Sequence, residues 1–230
     1  MPLPADADPE RSSATAYTYL AAIACPRAGE CIAPGEYLDD SAQPEPFIAT
    51  LSSGTWTSAR AALPANAAAT DQDGSLQAIA CPAPGACLAA GSYLVRGGQP
   101  RYLAETLSGG RWTVAAPPLP TDAAADQNGS QYATTTLVAL ACQSVGACIA
   151  TASYVNNANE ILPLIETLSG GTWTATQAPL PTDAAIRPGQ SGAVYLQLAT
   201  CPAVGHCLAV GNYPAADGTV EGLIETAAPR

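Results

Sequence analysis

A pair of cysteines recurs four times along the chain, and this repeat constrains the fold more than any other feature. In each copy five residues separate the two cysteines, and a glycine stands two positions before the second; the segments span residues 25–31, 81–87, 142–148 and 201–207. The first cysteines of successive copies are 56, 61 and 59 residues apart. Periods of this length are typical of proteins in which each repeat is one small supersecondary unit.

Each copy can be read as four short β-strands, which we name a to d. In the second copy they cover residues 76–81, 87–94, 102–107 and 111–116. Strands c and d are joined by glycine-containing links that supply the positive φ of a tight hairpin; these are Ser53-Gly54, Gly109-Gly110 and Gly170-Gly171. The recurring antiparallel unit predicts an all-β, β-propeller-like array of four four-stranded blades. A β-solenoid is the alternative.

The repeat is expected to form a single domain over residues 1–230, with copies at about 13–64, 65–120, 121–181 and 182–230. The fourth copy lacks strand d, because no Gly-x-Trp sequence follows its strand c at residues 223–226. The fourth blade is therefore predicted to be incomplete, and its unpaired edge predicts self-association. Small residues in strand b, such as Ala89-Ala90-Gly91, predict a close approach of neighbouring sheets.

The cysteines are expected to pair within each copy, because a hairpin brings positions six apart opposite one another. The predicted disulfides are Cys25–Cys31, Cys81–Cys87, Cys142–Cys148 and Cys201–Cys207. Zinc is disfavoured because its sites prefer closer cysteine spacings, and the chain has one histidine. Disulfides require an oxidising compartment. We therefore expect a secreted or extracytoplasmic protein, although the sequence carries no export signal.

The charge balance excludes several partners and reaction types. All 8 basic residues are arginine, and 19 acidic residues give a net charge of −11. Nucleic acid and anionic lipid are therefore repelled, and no apolar run is long enough for membrane insertion. Schiff-base chemistry lacks a lysine. The single histidine, His206, lies in a short turn and is expected to be solvated.

One motif resembles a known family. The sequence Leu-Ser-x-Gly-x-Trp occurs at residues 51–56, 107–112 and 168–173. It resembles the Asp-box (BNR) repeat of sialidase-like β-propellers, with the aspartate absent, and the resemblance implies a c–d hairpin at these positions. The whole repeat also resembles Cys-stapled repeats in proteins secreted by high-GC bacteria, which implies a location and no activity.

Two sets of side chains recur at equivalent positions of successive copies. Strand c carries Glu105, Glu166 and Glu225, where the first copy has Ala49. These carboxylates could form an acidic ring or an acid–base pair. Recurrence favours packing instead, with each carboxylate accepting a hydrogen bond inside its own blade. We likewise expect a second set of side chains to pack in the core with the polar atom hydrogen-bonded, rather than to stack against a sugar. These are Tyr37, Tyr93, Tyr154, Tyr213, Trp56, Trp112 and Trp173.

The links between strands differ on the two sides of a blade. The a–b and c–d links are short, whereas the b–c links vary in sequence and are polar. Variable loops on a rigid scaffold usually carry recognition, so we place binding on the b–c and d–a links. The candidate residues are Asp39, Asp40, Asp71, Asp73, Asp126, Asn128, Asn156, Asn157 and Asp217. Their oxygens suit Asx turns better than Ca²⁺, which needs six or more ligands; no cofactor is expected.

The sequence as a whole predicts a non-enzymatic, lectin-like binding or scaffold module for a protein or a neutral glycan. No catalytic residue is predicted. The alternative is a glycoside hydrolase or lyase that relies on carboxylates. As a consequence of the packing interpretation, we expect Glu166→Gln to lower stability.

Overall fold

The computed structural model describes residues 1–8, 17–124, 137–188 and 194–229, and these residues form strands and turns without a helix. These described residues form sixteen strands. They are β1 (Thr18–Leu20), β2 (Ala24–Arg27), β3 (Glu30–Leu38), β4 (Pro44–Ser52), β5 (Thr55–Arg60), β6 (Ser75–Ala83), β7 (Ala86–Val95), β8 (Gln99–Ser108), β9 (Arg111–Ala115), β10 (Leu137–Ser144), β11 (Ala147–Val155), β12 (Ile161–Ser169), β13 (Thr172–Gln177), β14 (Tyr195–Ala203), β15 (His206–Pro214) and β16 (Val220–Ala227).

Each repeat forms an antiparallel sheet of its own. The second and third sheets follow the chain, in the orders β6-β7-β8-β9 and β10-β11-β12-β13. In the first sheet strand a is split, because β1 and β2 both pair with β3, and β4 and β5 follow. A solenoid would collect strands from successive repeats into one sheet, so the solenoid alternative is wrong. The all-β fold of propeller-like blades is confirmed, with a first blade of five strands rather than four.

The fourth blade has three strands, in the order β14-β15-β16. Within the described part of the chain, no strand pairs with the far edge of β16. The predicted absence of strand d from this blade is therefore confirmed.

All four predicted disulfides are confirmed, and each joins strand a to strand b of one blade. Their Cα atoms are 4.0 to 4.1 Å apart, because the short a–b turn sets the two cysteines side by side. The described residues include no free cysteine. Since such bonds persist in oxidising surroundings, they favour an extracytoplasmic location. In chain order the bonds are Cys25–Cys31, Cys81–Cys87, Cys142–Cys148 and Cys201–Cys207.

Glycine is required at two kinds of position. The c–d turns adopt positive φ at both residues, as at Ser53 (51°) and Gly54 (78°), which matches the twist of a tight hairpin. In strand b, a Cβ on Gly91 would overlap the backbone carbonyl of Ser75. Ser75 begins strand a of the same blade. The close approach predicted at Ala89-Ala90-Gly91 is therefore real at Gly91, but it occurs within one sheet and not between neighbouring sheets.

The chain divides into two compact units, Met1–Ala116 and Pro117–Arg230, each with two blades and its own core. In the first unit strand a of the second blade packs on the first blade; the buried side chains there include Ile32, Ile48 and Leu76. In the second unit the fourth blade packs on the third in the same way, through Ile149, Ile165 and Leu196. Burying one such aliphatic side chain contributes about 1.5–3 kcal/mol.

Candidate binding site

The strand b tyrosines fasten the loops on one side of each blade. The hydroxyl of Tyr37 donates to Asp6 Oδ1 at 2.7 Å, and that of Tyr93 donates to Asn66 Oδ1 at 2.8 Å. Tyr154 and Tyr213 bond Asp122 and Asp183 in the same way. All four tyrosines are at most 5% exposed. The predicted packing with a bonded polar tip is confirmed for the tyrosines, and the partner comes from the link that precedes each blade.

These tyrosine bonds lie where the d–a and b–c links meet. Single backbone bridges join the two links in each blade, between Ala7 and Asp39, Ala67 and Val95, Ala123 and Asn156, and Ala184 and Ala215. The structure therefore brings the b–c and d–a links to one side of each blade, as the sequence predicts. We call this side the loop face.

In the first, third and fourth blades an Asp or Asn side chain closes the b–c loop on its own backbone. Asp39 Oδ1 accepts from the backbone N–H groups of Ser41 and Gln43. Asn156 Oδ1 accepts from those of Ala158 and Glu160. Asp217 Oδ1 accepts from the N–H of Thr219 in the fourth blade. These are Asx turns, in which the side-chain oxygen replaces a backbone acceptor and stiffens the loop.

One pocket on the loop face brings two predicted residues together. It has a volume of about 360 Å³, and we call it the loop-face pocket. It is lined by Asp39, Ser41, Gln43, Glu45, Arg60, Ala69, Thr70, Asp71 and Gln72. Asp39 and Asp71 are therefore neighbours in space although 31 residues separate them in the chain.

Arg60 organises the loop-face pocket. Its Nη2 lies 2.5 Å from Glu45 Oε1 and donates to Gln72 Oε1 at 3.3 Å. Its Nη1 donates to Asp6 Oδ2 at 3.4 Å. Glu45 is only 3% exposed, yet its second oxygen, Oε2, has no hydrogen-bond partner. Burial raises the pKa of Glu45, and Arg60 partly offsets this rise.

The pocket wall formed by the d–a link is fixed at several points. Asp71 and Asp73 adopt left-handed φ values of 55° and 43°, which few residues other than glycine, asparagine and aspartate tolerate. The backbone carbonyl of Gln72 accepts from Leu94, and the N–H of Gly74 donates to Pro44. The Asp71 side chain is thus presented by a strained but well-anchored turn.

The remaining predicted binding residues lie elsewhere. Asp126 and Asn128 fall outside the described residues. Asp40 is exposed next to the pocket without lining it, and Asp73 lies two residues beyond Asp71. Asn156, Asn157 and Asp217 belong to blades of the second unit. Among the residues that the structure describes, no group of three or more His, Cys, Asp or Glu side chains could hold a metal ion.

Sequence reasoning missed Glu45 and Arg60. The available signal was a departure from the repeat: Arg60 occupies the last position of strand d, where the third blade has Gln177. Glu45 faces Tyr37 across the sheet, where the third blade pairs Leu162 with Tyr154. Arg60 has no charged counterpart in the second or third blade, so it points to a site rather than to shared packing. The position of Glu45 is less distinctive, because Arg101 and Glu221 occupy it in the second and fourth blades.

The strand c glutamates are buried, but their predicted hydrogen bonds are absent. Glu105 and Glu166 are each 1% exposed, and none of their four carboxyl oxygens makes a hydrogen bond of normal geometry inside its own blade. Burial raises the pKa of Glu105 to about 7, which the Ala62 backbone amide partly offsets, and raises that of Glu166 to about 8. No other carboxylate contributes to either shift, so neither belongs to a carboxylate pair. Glu225 is partly buried, and burial raises its pKa as well.

Glu105 also borders a groove of about 560 Å³ between the first and second blades. Trp112 and the hydroxyl residues Thr50, Thr57 and Ser58 line the same groove. Glu105 is its one carboxylate, and Trp112 packs against the edge of the adjoining core. His206 is the first residue of β15 rather than part of the a–b turn, and it is exposed as expected.

No helix in the described ranges has the length and hydrophobicity to cross a membrane.

No protein-family model and no curated protein matches the chain. Among solved structures, a protein of unknown function from Dyadobacter fermentans DSM 18053 is similar at 11% identity, with a TM-score of 0.50 over 93% of this chain and 54% of that one. A mutant of AofleA from Arthrobotrys oligospora, with three arginines replaced by alanine, is similar at 14% identity, with a TM-score of 0.45 over 91% and 56%.

The chain spans about half the length of these two proteins. At 11% identity the first similarity concerns the fold alone, and the second is too distant to support a conclusion. The resemblance to Asp-box repeats stays a prediction.

Proposed function

We propose that this protein is a secreted binding module whose loop-face pocket holds a neutral, hydroxyl-rich glycan. The observation that carries the proposal is Glu45, which is almost fully buried on the pocket wall while its Oε2 lacks a partner. A buried polar atom without a partner costs about 1–3 kcal/mol. A small movement of the Glu45 carboxyl group toward the pocket would let a ligand hydroxyl donate to this oxygen and recover that energy.

The other groups of the pocket suit the same ligand class. Carboxylates and amide oxygens accept from sugar hydroxyls, whereas Arg60 and the amide nitrogens of Gln43 and Gln72 donate to them. A pocket of about 360 Å³ lies within the range of about 300–1,000 Å³ that small-molecule sites occupy. A protein partner would more often use a flatter and larger surface.

The charge of the pocket favours a neutral ligand over an anionic one. Asp39, Glu45 and Asp71 line it with a single cation, Arg60. Arg60 already contacts two carboxylates, Glu45 and Asp6. The net charge of the whole chain, −11, adds to the repulsion of anions.

Glycoside hydrolysis is the second candidate, because the pKa of Glu45 is raised and Asp39 lines the same pocket. A hydrolase needs one protonated acid and one free carboxylate on opposite sides of the scissile bond. Arg60 contacts Glu45 directly and favours its ionised form. Asp39 Oδ1 is committed to two backbone N–H groups. Both features suit binding better than turnover.

The test is a glycan-array screen of the oxidised chain, followed by calorimetric titration of the best neutral oligosaccharide. Asp71→Ala should weaken binding at least about tenfold, since a hydrogen bond to a charged group is worth about 1.5–3 kcal/mol. Asn157→Ala is the matched control, because it removes an exposed loop side chain of the second unit. Equal affinity of Asp71→Ala and wild type, or turnover of the oligosaccharide by the wild type, would contradict the proposal.

A further inference from the structure

The fourth blade exposes an apolar surface on one side of its sheet. Leu198, Val210 and Ile224 are direct cross-strand neighbours in one row. Leu208 lies two residues from Val210 and so faces the same side. Ile224 is 71% exposed, Leu198 66% and Leu208 36%. We call these four residues the fourth-blade face; clustered apolar side chains of this kind mark interaction sites.

The same side is buried in the blades that a following repeat covers. By strand register, the position of Ile224 corresponds to Ile48 in the first blade and Ile165 in the third. The position of Leu208 corresponds to Ile32 and Ile149. These four isoleucines are at most 6% exposed.

What covers them is strand a of the next blade. Leu76 packs with the isoleucines of the first blade, and Leu196 packs with those of the third. Both leucines are fully buried. The described structure thus contains the same junction twice, and in each the central side chain is a leucine that pairs with a strand b glycine.

The first blade carries the corresponding leucine without a cover. Leu20 pairs with Gly35 in strand b, as Leu76 pairs with Gly91. It is nevertheless 43% exposed, and Ile23 nearby is 60% exposed. One chain therefore presents both halves of the junction: the fourth-blade face and the Leu20 surface, by which we mean Leu20 and Ile23.

We propose that copies of this chain associate head to tail, with the fourth-blade face of one copy covered by the Leu20 surface of a second copy. We infer a second copy as the partner because both internal junctions pair this side of a blade with the equivalent leucine of strand a. Because the two halves are different surfaces, the contact is heterologous, and one broken half leaves the other usable.

The test is sedimentation equilibrium of the oxidised chain over a concentration series. Wild type should reach at least twice the mass of one chain. Ile224→Asp destroys the fourth-blade face and Leu20→Asp destroys the Leu20 surface, so each variant alone should sediment as a monomer. An equimolar mixture of the two should form a 1:1 dimer, because each variant supplies the half that the other lacks. Val204→Asp, in the 78% exposed a–b turn position of the same blade, should behave as wild type.

Three results would overturn the proposal. The first is a wild-type chain that remains a monomer throughout the series. The second is an Ile224→Asp variant that dissociates while Leu20→Asp does not, since this would indicate two fourth-blade faces in contact. The third is a mixture that stays monomeric although both variants melt as wild type does. Both substitutions replace exposed side chains, so the melting temperature reports whether a variant has folded.

Discussion

The first and third blades share a scaffold but differ in the polar groups that they place on it. In both, a buried strand b tyrosine bonds an aspartate of the preceding link, and an Asx turn closes the b–c loop. The third blade satisfies its loop-face groups internally, since Asn156 donates to Glu160 at 2.8 Å. The first blade places Glu45 and Arg60 where the third has Leu162 and Gln177.

This difference teaches how a repeat protein acquires a site. The shared tyrosine and turn keep the loop backbone in place, so a copy can change a few side chains without losing its fold. In the first blade those changes leave Glu45 Oε2 buried without a partner. Unlike the unpartnered oxygens of Glu166 in the third blade, this oxygen belongs to a residue that lines the loop-face pocket.

The largest effect that we expect concerns the strand c glutamates, which the first blade replaces with Ala49. The folded-state pKa values of about 7 for Glu105 and about 8 for Glu166 lie above the ordinary value of 4.5. The folded state therefore holds these protons more tightly, and stability falls as pH rises from about 4.5 through about 8. Between about pH 5 and about pH 9 the free energy of unfolding should drop by several kcal/mol, with the larger share from Glu166.

Glu166→Gln should remove much of this drop, because glutamine is neutral at every pH. The variant should be more stable than wild type at about pH 9, which reverses the expectation drawn from the sequence. Urea denaturation at several pH values measures it, and Glu105→Gln should show a smaller gain over a lower pH range. A wild-type stability that rises between about pH 5 and about pH 9 would contradict this account.

The next effect tests whether the two blades share their scaffold. Tyr37→Phe and Tyr154→Phe each remove one hydroxyl that donates to an aspartate. Each substitution should lower the free energy of unfolding by about 1–2 kcal/mol, and the two losses should be similar. Thermal or urea denaturation compares them. Unequal costs, with one variant indistinguishable from wild type, would show that the scaffold is not shared.

The smallest effect separates a loop-forming residue from its exposed neighbour in the third blade. Asn156 is 9% exposed and holds two backbone N–H groups, so Asn156→Ala should cost about 1 kcal/mol. Asn157 is exposed, and Asn157→Ala should change stability by less than about 0.5 kcal/mol. Equal losses in urea denaturation would show that Asn156 does not hold the turn.

The sequence predicts much of the fold because its signals are local and repeated. The disulfide at Cys81 and Cys87 and the turn at Gly109 each follow from a few neighbouring residues and recur in other copies. The split of strand a into β1 and β2 could not be predicted, because it has no counterpart in the other described blades. The prediction that Glu166 is hydrogen-bonded was wrong, because burial at a recurring strand position does not guarantee that a donor lies nearby.

The candidate site was predicted only in part. Aspartates in turns are visible in the sequence, so Asp39 and Asp71 could be proposed from their loops. Glu45 lies on β4 and Arg60 on β5, and the hairpin between these two strands brings them together. The turn of this hairpin was predicted, so the two residues were missed because neither belongs to a motif that the repeat marks.

The central claim is that the first blade departs from its scaffold in order to bind a ligand. Glu45→Leu combined with Arg60→Gln gives the first blade the residues that the third blade carries at these positions, so the double variant should fold and melt much as wild type does. On a glycan array beside the oxidised wild type, it should lose the signal for neutral oligosaccharides, while the wild type binds at least one. A double variant that keeps the wild-type binding profile, or a wild type that binds no neutral glycan, would contradict the account.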